Sequence, residues 1–310
     1  MKETLQHLNF RYLFRNLCYL LTRDLAADMR QPELRKEILF QKILQLPMPS
    51  ARDYEQEIEF LKQEGWSAFP YPQTGRLAQV ESGRDPGNGL PFVVHRGKRL
   101  YFPRNWTTQR AEGAYRSYVE SEGILGGGYR RKSPHQYQTE TFRVEAGDVV
   151  MDIGSAEGLF ALDVVDTAKR VYLFECDPGW KEALAATFAP HAAKVRIVNK
   201  RVGAIDSRDG VRLDTFLEQE AGERFFIKAD IEGAEVAVVD ASLKWLERES
   251  VRLCCCTYHR QGDAERLERL LNGIHFQTEF SDGYMLFSRD RDQQRPYFRR
   301  GVIRAWKASR

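Results

Sequence analysis

Little in this chain is extreme, and each deficit removes a class of explanation. Its 310 residues include only 5 cysteines, Cys18, Cys176 and the adjacent Cys254, Cys255 and Cys256, with neither zinc-ligand spacing nor the pattern of a disulfide framework. A reducing compartment is the expectation. No apolar run has the length of a membrane span, and Arg11, Arg15 and Arg23 interrupt the N-terminal apolar stretch where a signal peptide would need a continuous core. The formal net charge of +3 is small for this length, so no general affinity for nucleic acid is indicated. Internal repeats and low-complexity tracts are absent as well. These deficits leave a soluble, cytoplasmic protein, with peripheral membrane contact and homo-oligomerisation open. A hydrophobic content of 42% suffices for one large α/β domain and an accessory region.

What is present is concentrated in Val149-Val150-Met151-Asp152-Ile153-Gly154-Ser155-Ala156-Glu157-Gly158, followed one helix-length later by Val171-Tyr172-Leu173-Phe174-Glu175. An apolar run ending in an acid, a glycine turn, a helix and a second apolar run ending in an acid make the first βαβ unit of a nucleotide-binding sheet. Gly154 and Gly158 let the chain reverse and let a ligand approach the backbone. The loop lacks the full glycine set that presses a pyrophosphate onto a helix N-terminus, and Asp152 and Glu157 would repel a diphosphate. A ligand with an ammonium group and a ribose but no phosphate, S-adenosylmethionine, suits it better. Asp152, Gly154, Ser155, Glu157 and Gly158 are the expected cofactor-binding loop, and Glu175 is placed to accept the ribose hydroxyls. Gly and Asp also favour any turn, so the weight rests on the two strands and the second acid.

Residues 1–65 read as helices, with Leu8, Tyr12, Leu17, Leu21 and Leu25 at helical spacing, then Leu34, Ile38 and Ile43, then a helix over 52–64 stopped by Gly65. A Pro- and Gly-rich linker follows. Residues 91–102 predict a hairpin turning at Arg96 and Gly97, and 107–120 a helix. The run Gly126-Gly127-Gly128-Tyr129-Arg130-Arg131-Lys132 is either a lid or a solvated loop. From Asp148 onward strands near 149–153, 171–175, 195–198, 225–229 and 251–257 alternate with helices, the pattern of a parallel sheet covered on both faces. Runs at 275–280 and 284–288 around Ser281-Asp282-Gly283 predict a terminal antiparallel hairpin. The fold class is therefore α/β: a Rossmann-like, mostly parallel class I methyltransferase sheet with a helical N-terminal region. The expected division is 1–90 helical region and linker, 91–133 hairpin, helix and lid, 134–288 cofactor domain, and 289–310 a basic tail that is either frayed or binds an anionic glycan or membrane surface.

Residues 134–288 resemble the FkbM family of S-adenosylmethionine-dependent methyltransferases. The resemblance rests on Ser133-Pro134-His135, Gly147-Asp148, Asp152-Ile153-Gly154 with Glu157-Gly158, Phe174-Glu175 with Pro178, Val202-Gly203 and Leu213-Asp214. Its most specific block is Phe226-Ile227-Lys228-Ala229-Asp230-Ile231-Glu232-Gly233-Ala234-Glu235. It implies methyl transfer, most often to a hydroxyl oxygen of a sugar or natural product.

Independently of that resemblance, Asp230 falls at the carboxyl end of an apolar run, where open α/β sheets bind ligands. It is expected to serve both cofactor and catalysis. Lys228 lies within that buried run and needs a carboxylate, for which Asp230, two residues on, is the candidate partner, either structurally or to tune a base. His259 follows the next strand and should emerge beside Asp230 as base or orienter. His135, Glu232 and Glu235 are candidates to meet the acceptor, although acids in a first helical turn are also favoured by the macrodipole. No ligand spacing calls for a metal, while acids and a histidine at strand ends can hold a divalent cation. Two alternatives stand beside the methyltransferase: an NAD-dependent oxidoreductase, disfavoured by the incomplete glycine set, and a cofactor-binding protein without transfer activity, disfavoured by retention of Asp152, Glu175, Asp230 and Glu232.

Overall fold

Pro32–Leu44 forms helix α1, opened by a proline whose missing amide costs nothing in a first turn. A single 3-10 turn leads into α2 (Glu55–Glu64), which stops at Gly65 with φ +83°. The computed structural model describes residues 32–47, 50–73, 75, 77, 79–126, 133–220, 222–290 and 292–307. The helix expected over 1–31 and the glycine and arginine run at 127–132 lie outside them.

Strands β1 (Ser82–Arg84), β2 (Pro91–His95) and β3 (Lys98–Tyr101) make a small antiparallel sheet. The β2–β3 turn is at Arg96 and Gly97, both with positive φ, as a two-residue hairpin loop requires. Helix α3 (Thr108–Arg116) is capped by the Thr107 side chain and runs on into one π turn at Ser117–Ser121.

The principal sheet begins with β4 (Val149–Ile153), α4 (Leu159–Val164), β5 (Arg170–Phe174), α5 (Lys181–Phe188) and β6 (Val195–Val198). A short parallel pair, β7 (Arg201–Gly203) and β8 (Gly210–Arg212), precedes α6 (Leu213–Leu217). The chain then returns through β9 (Arg224–Ala229), α7 (Glu235–Arg248), β10 (Ser250–Cys256), α8 (Asp263–Gly273), β11 (Gln277–Phe280) and β12 (Val302–Trp306). The seven strands lie in the order β11-β12-β10-β9-β4-β5-β6. All neighbours are parallel except β12, which runs antiparallel to both β10 and β11. This is the class I methyltransferase arrangement. The chain leaves β4 in one direction and comes back on its other side at β9, so the topological switch point, where such sheets bind ligands, lies beyond the ends of β4 and β9.

Alternate strand residues serve the two faces. Val150, Val171, Phe226, Cys254 and Cys256 pack on one side, and Met151, Ile153, Phe225, Ile227 and Cys255 on the other. The cysteine trio is thus explained as small apolar filling of a strand buried on both faces, and Cys254, Cys255 and Cys256 are all free.

One expected element is corrected. The partner of β11 is β12, not 284–288, so no hairpin closes at Ser281-Asp282-Gly283. Gly283, at φ +91°, sends the chain away from the sheet, where Met285 makes one bridge to Arg299 and Leu286 packs with Leu39, Ile43 and Leu61 of the N-terminal helices. The basic tail supplies the missing strand. Arg304 within β12 is 1% exposed and spends its guanidinium on Tyr137 O (3.0 Å), Gln136 O (2.6 Å) and Glu279 Oε1 (3.0 Å). Lys307 caps the end of α7 through the carbonyls of Leu246 and Glu249.

Candidate functional site

The loop after β4 is held by contacts that tolerate no side chain. A Cβ on Gly154 (φ +72°) would lie 1.9 Å from the Asp230 carbonyl oxygen, and one on Gly158 (φ +83°) would lie 2.8 Å from the Phe188 ring. The two strand ends therefore touch at the switch point. Lys228 does not pair with Asp230 as expected. Its ammonium lies 3.0 Å from Asp152 Oδ1 and donates to Gly154 O at 2.6 Å. The reason is register: Asp152 and Lys228 are direct partners across β4 and β9, so both side chains leave the same face together. Asp152 is fully buried, and together the pair fixes the turn from beneath rather than opening into the cleft.

Ser155 is enclosed as well, its amide donating to Phe174 O at 3.1 Å. Burial pushes the Glu157 carboxyl up to about 8. With Asp152 matched by Lys228 and Glu157 largely protonated near neutrality, these two acids do not supply the repulsion of a diphosphate that the sequence suggests. Glu175, half-buried at the tip of β5, is aimed differently. Its Oε2 accepts the Ala156 amide at 2.8 Å and its Oε1 the Asp177 amide at 2.7 Å, which leaves each oxygen one further lone pair, and the residue lines the cleft.

Across the switch point, Asp230 receives four groups. Its Oδ2 accepts from Tyr137 Oη at 3.0 Å and lies 3.5 Å from His135 Nε2. Its Oδ1 accepts from Tyr258 Oη at 3.4 Å and lies 3.4 Å from His259 Nε2. Each imidazole is backed by a glutamate on its other nitrogen: His135 Nδ1 is 3.4 Å from Glu122, and His259 Nδ1 is 2.8 Å from Glu235. Burial alone would raise the Asp230 pKa, but the His135 hydrogen bond and the charges of His259, His135 and Lys228 hold it well below the carboxylate range. Burial opposes charge on both imidazoles, yet their carboxylates prevail, raising His259 and pushing His135 up to about 9.

Local structure explains the convergence. Ser133 donates to Glu122 O at 2.6 Å, and Ser281 Oγ donates to Pro134 O, pinning the two residues that lead into His135. His259 leaves the end of β10 next to Tyr258, whose carbonyl is held by the buried Arg299 at 2.7 Å. Glu235 opens α7 and is enclosed, accepting the Ile231 amide at 2.8 Å. It therefore reaches His259 rather than the open cleft. Glu232, in contrast, is 70% exposed at the rim with φ +54°.

Glu122, His135, Asp230, Tyr258 and His259 line a cleft of about 1110 Å³. That exceeds the usual 300–1,000 Å³ of a small-molecule site and leaves room for two reactants. Glu175, Asp177 and Trp180 line one part, and Trp66, Phe69, Tyr118, Tyr258 and Phe287 another. Sequence reading missed Glu122, Tyr137 and Tyr258. The two tyrosines had a faint signal in their position beside the histidines, whereas Glu122 had none, being brought in by the π turn. His135, Asp230 and Cys256, and Asp230, Glu235 and His259, are the donor groups close enough to weigh for a cation among the described residues. The first includes a thiol driven well above its ordinary range by burial. In the second, the His259 ring stands between the carboxylates with a different nitrogen toward each, a chain of charge contacts rather than a convergence on one point. No helix among the described residues is long and apolar enough to cross a membrane.

No family model matches the chain, and no curated protein matches it. Solved structures do. The FkbM methyltransferase of Methylobacillus flagellatus is similar at 19% identity and a TM-score of 0.42, over 53% of this chain and 44% of that one, so less than half of that protein is covered. A precorrin-6y C5,15-methyltransferase from Geobacter metallireducens aligns at 16% identity and TM-score 0.37, over 54% of this chain and 82% of that one. A putative methyltransferase from Streptococcus mutans, in complex with SAH, aligns at 13% identity and TM-score 0.33, over 53% and 91% of the respective chains.

Proposed function

We propose that this protein is an S-adenosylmethionine-dependent O-methyltransferase of the FkbM type, acting on a hydroxyl of a sugar, glycan or natural product. The observation that carries the reading is the relay at the switch point: a buried Glu235 on His259 Nδ1, and His259 Nε2 turned to Asp230 in the floor of a cleft large enough for two reactants. The glycine-fitted turn at Gly154 and the Glu175 carboxylate suit a ribose and an amino-acid moiety approaching the backbone. The chemistry supplied by bound S-adenosylmethionine is an electrophilic methyl on a sulfonium, released as a neutral thioether.

His259 is the base in this reading. Asp230, held ionised far below neutrality, is too weak a base and acts instead as the fixed negative charge beside the developing imidazolium. As the acceptor O–H bond breaks and the O–CH₃ bond forms, His259 Nε2 takes the proton while Glu235 keeps the ring oriented. Trp66, Phe69 and Tyr118 offer flat apolar faces to a sugar ring.

Calorimetry with S-adenosylmethionine, S-adenosylhomocysteine and NAD tests the cofactor class. Binding of the first two alone is expected, and binding of NAD alone overturns the reading. With an acceptor in hand, His259→Gln should lower kcat about 10²–10⁴-fold with cofactor affinity retained, while Glu175→Ala should chiefly weaken cofactor binding. Because the base must be unprotonated and its pKa is raised in the free protein, kcat/KM for S-adenosylmethionine should climb with pH through a value above the ordinary imidazole range.

A further inference from the structure

The proposed reaction needs one base, yet the cleft floor holds two imidazoles. His135 and His259 lie on opposite oxygens of Asp230, each with its own glutamate, so the chain Glu122–His135–Asp230–His259–Glu235 is arranged about a central carboxylate. Asp230 is also the residue whose backbone meets the glycine turn, where a Cβ on Gly154 would touch its carbonyl at 1.9 Å. A ligand seated on that turn is therefore next to the carboxylate that both imidazoles share.

Resting on the methyl-transfer reading, we propose that His135 and His259 form a charge-coupled pair that gives up a proton when a positively charged sulfonium, rather than its neutral thioether product, occupies the cleft beside Asp230. Two imidazolium ions share the negative charge of Asp230 in the free protein, and a third positive charge at that place competes with them. A unit charge several ångströms away in a partly buried site lowers the proton affinity of an imidazole by roughly 10- to 100-fold. His259 is then left unprotonated when the methyl donor is bound. With the product bound the competing charge is gone and the protons return.

The surrounding charges do not supply the same response. Lys228 is committed to Asp152 and Gly154 O. Glu157 is buried and largely protonated near neutrality, and it interacts with Lys228, Glu122 and Asp152 rather than with either imidazole. Around His259, Glu232 at 3.9 Å is exposed and paired with Arg289, and Asp263, itself pushed up to about 6 by burial, stands behind Glu235. Around His135 the remaining groups are Tyr137, Tyr258 and the Cys256 thiol, all held neutral by burial. Both imidazoles are raised by their carboxylates, His135 to about 9, which favours the protonated form of each.

Calorimetric titration at pH 7.0 in phosphate and in Tris, buffers of different ionisation enthalpy, counts the protons released on binding. For the unaltered 310-residue chain, S-adenosylmethionine should release at least about 0.3 proton per site more than S-adenosylhomocysteine. In His135→Gln and His259→Gln, this difference should fall at least about twofold with S-adenosylhomocysteine binding retained. Equal proton counts for the two ligands overturn the coupling while leaving the methyl-transfer reading intact. A difference that persists undiminished in both variants overturns its assignment to these imidazoles. Failure of either ligand to bind removes the reading and the coupling together.

Discussion

Glu157 shows how a single buried group sets a pH dependence. Its carboxyl has a pKa of about 8 against an ordinary 4.5, because burial penalises the ionised form. The folded state therefore binds the proton more tightly than the unfolded chain does, and stability is fully present below about pH 4.5 and is lost as pH rises toward 8. The loss amounts to ~5 kcal/mol at most. Denaturant unfolding at pH 5 and pH 8.5 should show the wild type weakening across that interval and Glu157→Gln, which keeps shape without the charge, weakening much less. An equal decline in both proteins would place the pH sensitivity elsewhere. At this scale the sequence was legible for residue identity and poor for partnership. Asp152, Lys228, Asp230 and His259 all lie at the switch point, but Lys228 was matched to the neighbour in its own strand, since cross-strand register is a tertiary property.

At the scale of elements, β12 carries the least evident assignment. Its sequence, Val-Ile-Arg-Ala-Trp, has a cation at its centre and sits among arginines, so composition points to a solvated tail. Burial of Arg304 is made tolerable by three acceptors, and two of these are the carbonyls of Gln136 and Tyr137, next to His135. The guanidinium thus connects the sheet to the segment that delivers an imidazole and a tyrosine to Asp230. Arg304→Met fills similar volume but strands those carbonyls. It should destabilise the fold by about 2–4 kcal/mol in a thermal or denaturant melt. An unchanged melting temperature would mean the loop is held without it. The strands β4, β5, β6, β9 and β10 were readable because each is an apolar run bounded by turns, and helix α2 because Gly65 ends it. The 284–288 run misled for the same reason in reverse: Tyr284 and Leu286 serve the contact with α1 and α2, and Met285 and Phe287 pack on the main core, not in a ladder with β11.

For the whole molecule, the consequence is that sequence order and structural order part company at the end of the chain. In the sheet order, β12 lies between β10 and β11, so the last strand in sequence is an interior strand with ladders on both sides. Val302, Ile303 and Ala305 are wholly buried there. Removing it would expose the edge of β10, detach β11 and free the Gln136 and Tyr137 carbonyls, whereas removal of a true tail costs nothing of the kind. Just before β12, the segment containing Tyr297 and Phe298 packs on α1 and α2, and Arg299 anchors Tyr258 O beside His259, so the same stretch ties the N-terminal helices, the sheet and the site together. A chain ending at residue 300 should therefore fail to give a cooperative melt and should not bind S-adenosylmethionine, while one ending at 307 should match the 310-residue chain in both respects. Retention of a cooperative transition by the shorter chain would show that the sheet closes without its antiparallel strand. It would also reduce β12 from a structural core element to an addition on a self-sufficient parallel sheet.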